Sequence, residues 1–408
     1  MGPIKILIVG HCHPDLPHVC GMRTGGFAKG LARRGHEVVL MTGALPGASS
    51  MPCADTVIER LGRLKGEALV LGCLPRGHGW ARRARQGRFP GIFNKVVLAG
   101  SFLRHGGLFT DWVEGSRPYW PVLADEWRPD VVWATFGNTA AWLIAQGIAR
   151  RAGSAWVMDM KDPWSDFIPA PMRRLLAARF RDAAAATALA DIHADDLRQW
   201  FGGDPVTVPS GVDMPDPAAA EIAASPDGDA FRLSLVGSLY GDDDLQVLLA
   251  GIRSWCLERR SRSVRPAILE YFGAEDARLA AATGDWGDIC EIRMTGFVPP
   301  ADLATRLRTS HVNAFVNART GFRHKVLEFA VAGRPILCLP EVGADECGIV
   351  REAGGALYNC ATPADVKNAL DDLDGNDRPD RAAPVDIERF SWDARSAQLE
   401  SVFEQVLN

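Results

Sequence analysis

Short apolar runs alternate with amphipathic helical stretches along this chain, and the alternation runs twice with a break between. Lys5 to Val9 reads as a buried strand, His11 to Thr24 as a turn-rich loop, and Gly25-Gly26 as the opening of a helix over Phe27 to Arg34. Gly35 stands where that helix needs a left-handed cap. Glu37 to Thr42 is the next apolar run, so strand, helix and strand fit within about forty residues, a βαβ unit with a right-handed crossover. The pattern returns at Asp130 to Ala134, Thr139 to Ala152 and Ala155 to Asp159.

A Pro/Gly/Asp-rich stretch, Pro209 to Asp229, interrupts the series. Beyond it Phe231 to Val236 is a strand, Leu245 to Arg260 a helix and Ala267 to Phe272 a strand. Later units cover Glu291 to Thr295, Ala301 to Arg308, Ala314 to Asn317, Lys325 to Ala332 and Pro335 to Leu339. Two β/α series split by a joint predict an α/β protein with two doubly wound parallel sheets. With 408 residues, the chain has length for two domains of roughly 200 residues each.

Composition narrows the function classes. The net charge of −5 gives no global reason to expect a nucleic-acid partner. No apolar run approaches the roughly 20 residues that span a bilayer. The first residues read as a strand and not as a signal peptide, which predicts a cytoplasmic protein. Nine cysteines without a C-x-x-C pair are expected to be reduced thiols. One segment departs from the rest: Leu74 to Arg104 holds seven Lys/Arg and no Asp or Glu, interleaved with Trp80, Phe89, Ile92 and Phe93. It reads either as a peripheral contact with the inner face of a membrane or a phosphorylated acceptor, or as a solvated insertion.

In parallel α/β sheets, ligands sit beyond the carboxyl ends of the strands, so residues there carry the functional reading. After the first strand come His11, His13 and the Gly25-Gly26 pair, expected to let backbone N–H groups approach a polar ligand. The two histidines lack a Cys or carboxylate cluster at ligand spacing, so no metal is expected. After a later strand comes Asp159-Met160-Lys161-Asp162-Pro163-Trp164, where Pro163 halts regular structure and presents Asp162 on a loop. Asp162 could stabilise positive charge at a sugar carbon or orient an acceptor hydroxyl; it could equally cap a helix or pair with Lys161. In the second half, Arg323, Lys325 and Glu328 lie at the start of a short helix closed by Gly333. The two cations there suit a diphosphate and the carboxylate suits ribose hydroxyls; alternatively, Lys325 and Glu328 form a surface ion pair. Asp242 to Asp244 precede a helix and are read as complements of its dipole and caps, not as metal ligands.

These pieces, in this order, resemble the family-4 and related GT-B glycosyltransferases. The resemblance rests on Gly25-Gly26 through Leu31 to Gly35-His36-Glu37-Val38, on Asp159-x-x-Asp162-Pro163-Trp164, and on Gly211-Val212-Asp213. It extends to Lys325-x-x-Glu328-x-x-x-x-Gly333-x-Pro335 and to a final helix after Phe390-Ser391-Trp392. It implies two Rossmann-like domains facing a cleft: an acceptor domain over 1–212, a nucleotide-sugar domain over 213–390, and a helix over 391–408 crossing back to the first. It further implies transfer of a hexosyl group, mostly with retention, from a UDP- or GDP-linked sugar to a carbohydrate or lipid-linked acceptor, without cofactor. On this reading Asp162 and Lys325 are catalytic; Gly237, Ser238, Arg323, Lys325 and Glu328 hold the donor; His13, Gly25, Gly26 and Asn138 meet the acceptor.

The departures are as specific. The family's Arg and Lys after the first strand of the second domain are absent, and the stretch reads Gly237-Ser238-Leu239-Tyr240-Gly241-Asp242-Asp243-Asp244. Thr320 stands eight residues before Glu328, where many members carry a glutamate, and Phe136-Gly137-Asn138-Thr139 lacks a histidine frequent there. These differences keep open a non-catalytic partner that binds a nucleotide sugar or glycan; a sugar-nucleotide epimerase of similar architecture is a third reading, against which the family-4-like spacing through both domains speaks.

Overall fold

The structure is a computed structural model and describes residues 2–16, 18–77, 79–214, 230–262, 265–318, 324–375 and 387–408. Its chain divides into two compact units, Met1–Gly211 with Trp392–Asn408, and Val212–Ser391. Each is a parallel sheet covered by helices, as the doubled β/α pattern predicts.

In the first unit, seven parallel strands lie in the order β3-β2-β1-β4-β5-β6-β7. They are β1 (Lys5–Val9), β2 (Glu37–Gly43), β3 (Leu69–Cys73), β4 (Val131–Phe136), β5 (Ala155–Met160), β6 (Ala185–Ala188) and β7 (Val206–Thr207). Strands β1 and β4 are sealed almost completely, the burial expected where helices cover both faces. The order reverses between β1 and β4, which places the crevice of this unit beyond their carboxyl ends. One side of its core is aromatic: Trp142 stacks on Trp164 at 5.6 Å, with Phe136, Phe180 and Phe201 edge-on or tilted around them.

The other face carries a correction. The helix after β1 spans Val19–Arg33, so Gly25 and Gly26 lie in its middle and do not open it. The His18 side chain provides the N-cap, accepting from the Cys20 N–H at 3.1 Å. The glycines serve packing instead. A Cβ on Gly26 would lie 2.4 Å from the Trp392 indole, and one on Gly30 would lie 2.1 Å from Ser396 Oγ. The terminal Trp392–Leu407 helix thus seats directly on this glycine face. Ion pairs from Arg33 to Asp393 and from Arg34 to Glu400 flank the contact. Gly35 adopts φ +97° and closes the helix as expected.

In the second unit, six parallel strands run β10-β9-β8-β11-β12-β13. They are β8 (Phe231–Val236), β9 (Ala267–Phe272), β10 (Glu291–Met294), β11 (Val312–Val316), β12 (Ile336–Leu339) and β13 (Leu357–Asn359). The reversal here falls between β8 and β11. The helix after β8 begins at Asp242 and not at Leu245, so the three acids form its first turn while Gly241 occupies the N-cap. They complement the helix dipole without capping through a side chain. Val212 pairs with Ser391 in an isolated parallel bridge, tying the two ends of this unit together.

Candidate functional site

At the switch point of the second sheet, β8 ends at Val236 and the chain turns through Gly237 with φ +83°, a conformation that favours glycine. The Lys325–Ala332 helix starts beside this turn. Lys325 Nζ donates to the Val236 carbonyl at 3.1 Å and lies 5.3 Å from the Phe315 ring centroid and 5.9 Å from that of Tyr240. A Cβ on Gly237 would come within 2.6 Å of that ammonium. Gly237 is therefore required twice, for the turn and for the space the lysine occupies. A cation on a strand's carboxyl end, at a topological switch point, suits an anionic ligand.

The loop after Gly237 is clamped by residues that no sequence motif marked. Gly237 N–H donates to Phe272 O at 2.7 Å, and Tyr271 Oη donates to Gly237 O at 2.9 Å. Leu239 N–H donates to Glu275 Oε2 at 2.7 Å. Arg278 binds the Leu239 carbonyl, Glu275 Oε1 at 2.9 Å and Asp242 Oδ1 at 2.6 Å. Gly237 therefore has no N–H left for a phosphate. Ser238 is exposed, and its N–H makes no hydrogen bond among the described residues. Asp242 pairs with Arg278.

Glu328 lies one turn along from Lys325, partly buried, with His324 Nε2 3.9 Å from its carboxylate. Burial pushes its carboxyl up to about 7; Lys325 opposes the shift and Asp213 adds to it. The group thus titrates near neutrality, where hydrogen bonds from ligand hydroxyls would favour the ionised form. Arg323 lies outside the described residues.

In the first unit, the two aspartates of the Asp159-x-x-Asp162 motif part company. Asp159 ends inside β5, fully buried and bound by Arg23, while Asp162 stands beyond the strand with its side chain 30% exposed. Lys161 pairs with Asp162; burial works against the ammonium, but Asp162 and Cys20 outweigh it and raise its pKa. Gly137, after β4, leaves this pair uncovered: a Cβ there would lie 3.2 Å from Lys161 Nζ and 3.7 Å from Asp162 Oδ2. Asn138, expected to meet a ligand, uses its Oδ1 to cap the Thr139–Ala152 helix through Ala140 N–H at 3.0 Å. His13 accepts from Asp15 N–H at 3.2 Å, which holds its ring inside its own loop.

A thiol cluster also emerges here. Cys12, His18 and Cys20 bring potential ligand atoms within 4.8 Å of one another, the group among the described residues suited to a soft metal ion. His11 and His13 stand outside this cluster, which the sequence does not signal because its spacing, Cys12-x5-His18-x-Cys20, matches no short motif. His18 Nδ1 is already engaged as the helix cap, and the Cys20 thiol is hydrogen-bonded with that of Cys12. That hydrogen bond lowers the Cys20 thiol to about 5, helped by Lys161 against the effect of burial.

No family model matches the chain, and no curated protein matches it in sequence. Its fold, however, is shared over full length with solved structures. A glycosyltransferase from Rickettsia africae matches over 100% of both chains at 12% identity with a TM-score of 0.64. Anabaena HepE, solved with UDP and glucose, matches over 98% of this chain and 100% of its own at 13% identity and TM-score 0.60. Sucrose-phosphate synthase from Thermosynechococcus elongatus matches over 98% of both chains at 13% identity and TM-score 0.64. The chain is similar to these proteins in fold: two parallel-sheet α/β domains of the GT-B type.

Proposed function

We propose that this chain transfers a glycosyl group from a nucleotide diphosphate sugar, UDP- or GDP-linked, to a carbohydrate or lipid-linked acceptor. The observation that carries the proposal is the Lys325 ammonium, held by the Val236 carbonyl against Gly237 at the β8/β11 switch point. Negative charge grows on the diphosphate as the glycosidic bond breaks, and a cation already in place stabilises it. Arg323 is assigned to the same diphosphate, the free Ser238 N–H to a phosphate oxygen, and Glu328 to the ribose hydroxyls. Asp162, with its carboxylate exposed on one side and paired with Lys161 on the other, is assigned to the acceptor hydroxyl or the sugar carbon.

Retention of configuration and membership of family 4 are part of the proposal and rest on the motif resemblance. HepE, which shares the fold, was solved in complex with UDP and glucose, and that favours UDP as the first nucleotide to try.

The test is nucleotide-induced thermal stabilisation followed by a turnover screen. A nucleotide at 100 times its dissociation constant adds about 2.7 kcal/mol to stability. UDP or GDP is expected to raise the melting temperature in the wild type and not in Lys325→Ala. Release of nucleotide from one of the UDP-, GDP- or dTDP-sugars, accelerated by glycan acceptors, completes the case. Saturable binding without turnover would replace it with the non-catalytic reading, and an isomerised nucleotide sugar formed without acceptor would replace it with an epimerase.

A further inference from the structure

The basic segment of the first unit forms two helices, Trp80–Arg85 and Gly91–His105, packed against each other. Their outer surface is unusual for a water-facing one. Ile92 is 83% exposed, Val96 62% and Leu103 65%. With exposed Ala99, these residues fall at spacings of four, three and four, so they form one apolar stripe along the helix. That is the periodicity of a buried face, here turned to solvent over about 16 Å of helix. Phe102 and Ser101, on the opposite side, supply the face that packs into the unit.

Aromatic side chains extend the stripe at one end. Trp80, 51% exposed, stacks on Phe89 at 5.5 Å, and Phe93 meets Phe89 edge-on at 5.3 Å. Cations surround it. Arg83, Arg88, Lys95 and Arg104 are exposed and have no acidic partner among the described residues. The nearest acids are already engaged: Asp111 is buried against Arg85, and Glu114 pairs with Arg117. At the far end, Arg104 follows Leu103 into the lining of a cavity of about 310 Å³ that also includes Arg179, with Arg117 paired to Glu114 and Arg150 paired to Asp182.

We propose that this face docks on an anionic lipid bilayer, with the Ile92–Leu103 stripe and the Trp80–Phe89–Phe93 cluster in the interface and the cations over lipid phosphates. Charge complementarity selects this occupant. A second copy of the chain would set one unpaired cationic face against another, and an uncharged apolar partner would leave the cations unmatched. No helix among the described residues is long and apolar enough to cross a membrane, so the attachment is peripheral. The inference is independent of the donor reading, since it uses none of the residues assigned to the nucleotide.

The experiment is vesicle flotation of the full chain with phosphatidylcholine alone and with equal parts phosphatidylcholine and phosphatidylglycerol. The wild type is expected to float with the mixed vesicles only, and to be released by salt. The double variant Ile92→Asp/Val96→Asp and the triple variant Arg83→Gln/Arg88→Gln/Lys95→Gln are both expected to stay in solution. Each cation near a charged surface contributes enough that losing three weakens partition by roughly 100-fold. All the substituted side chains are exposed, and a melting temperature of the free protein unchanged in both variants reports that the fold persists. Flotation with neither vesicle, or equally with both, overturns the proposal. So does a wild-type dimer that Ile92→Asp/Val96→Asp dissociates, which makes the face a subunit interface. Phosphate-dependent stabilisation without flotation would make the arginine cavity a soluble-anion site, and overturns it as well.

Discussion

Arg23 and Asp159 form a two-point ion pair sealed inside the first unit, Nε to Oδ2 at 3.0 Å and Nη2 to Oδ1 at 2.6 Å, at 1% and 0% exposure. Thr187 donates to the same carboxylate at 2.8 Å, and Arg23 reaches Ser210 Oγ at 3.2 Å. The guanidinium also lies over Phe27 and Trp133. Every charge in this network is matched, so removing one partner strands the other in the interior. Asp159→Ala is expected to lower unfolding free energy by about 3–5 kcal/mol in urea titration. Asp162→Asn should cost less, about 1–2 kcal/mol, because the amide oxygen still accepts from the buried Lys161 ammonium and residue 162 keeps contact with water. It should instead lower turnover by about 100-fold or more without weakening the donor. Equal stability losses in the two variants would show that the motif does not divide into a structural and a functional carboxylate.

Lys325→Ala is expected to remove about 2–4 kcal/mol of transition-state stabilisation, read from kcat/KM. Gly237→Ala approaches the same end from the other side. Its methyl group would displace the ammonium and force a φ of +83° on alanine, so about 1 kcal/mol of stability should go with the loss of donor affinity. Turnover in Lys325→Ala within a few-fold of wild type would remove the diphosphate from this corner.

Much of this fold was legible because βα repetition is written in periodicity: β1, β8 and β9 and the Thr139–Ala152 and Lys325–Ala332 helices have the expected bounds. What periodicity could not show was short or tertiary. Strand β7 has two residues, and β6 is mostly alanine, so neither carries a strand signature. The start of the Val19–Arg33 helix was hidden because Gly25 and Gly26 read as a helix opening, whereas Gly25 makes room for Pro14 and Gly26 for an indole more than 360 residues later. Lys325 and Gly237 stood in separate motifs, and only the order reversal between β8 and β11 makes them neighbours. The loop clamp of Tyr271, Glu275 and Arg278 left no trace in local spacing, since each residue is ordinary where it stands.

Glu328 gives a pH dependence with two opposite signs. Its folded pKa of about 7 lies above the ordinary value of 4.5, so between these values the folded state holds a proton the unfolded chain has lost. Stability from this group is therefore present below 4.5 and declines as pH rises through about 7, by about 3 kcal/mol in all. Glu328→Gln should flatten that decline in denaturation measured across the range. Donor binding should run the other way, because ribose hydroxyls donate to the ionised carboxylate. Affinity for a UDP-sugar is expected to rise through about 7 in calorimetry, and to lose that rise in Glu328→Gln. A nucleotide sugar is the right probe, since its diphosphate does not itself titrate there. A flat affinity profile in the wild type would separate Glu328 from the ribose.

Gly26 decides between two roles for the glycine pair, a ligand cradle and a packing surface. Adding a methyl group at Gly26 would press on the rigid Trp392 indole at 2.4 Å, whereas the facing atom at Gly30 is the Ser396 hydroxyl. An indole in a packed interface cannot swing aside cheaply, so the terminal helix must shift or detach. Gly26→Ala is expected to lose about 1–3 kcal/mol. Measured in a Trp392→Ala background, the Gly26→Ala penalty should shrink, because the obstacle is gone; hydrogen exchange along Trp392–Leu407 would follow the loosening directly. If the glycine acted on a ligand instead, the alanine variant would keep wild-type stability and lose acceptor affinity alone, and the double variant would show no compensation.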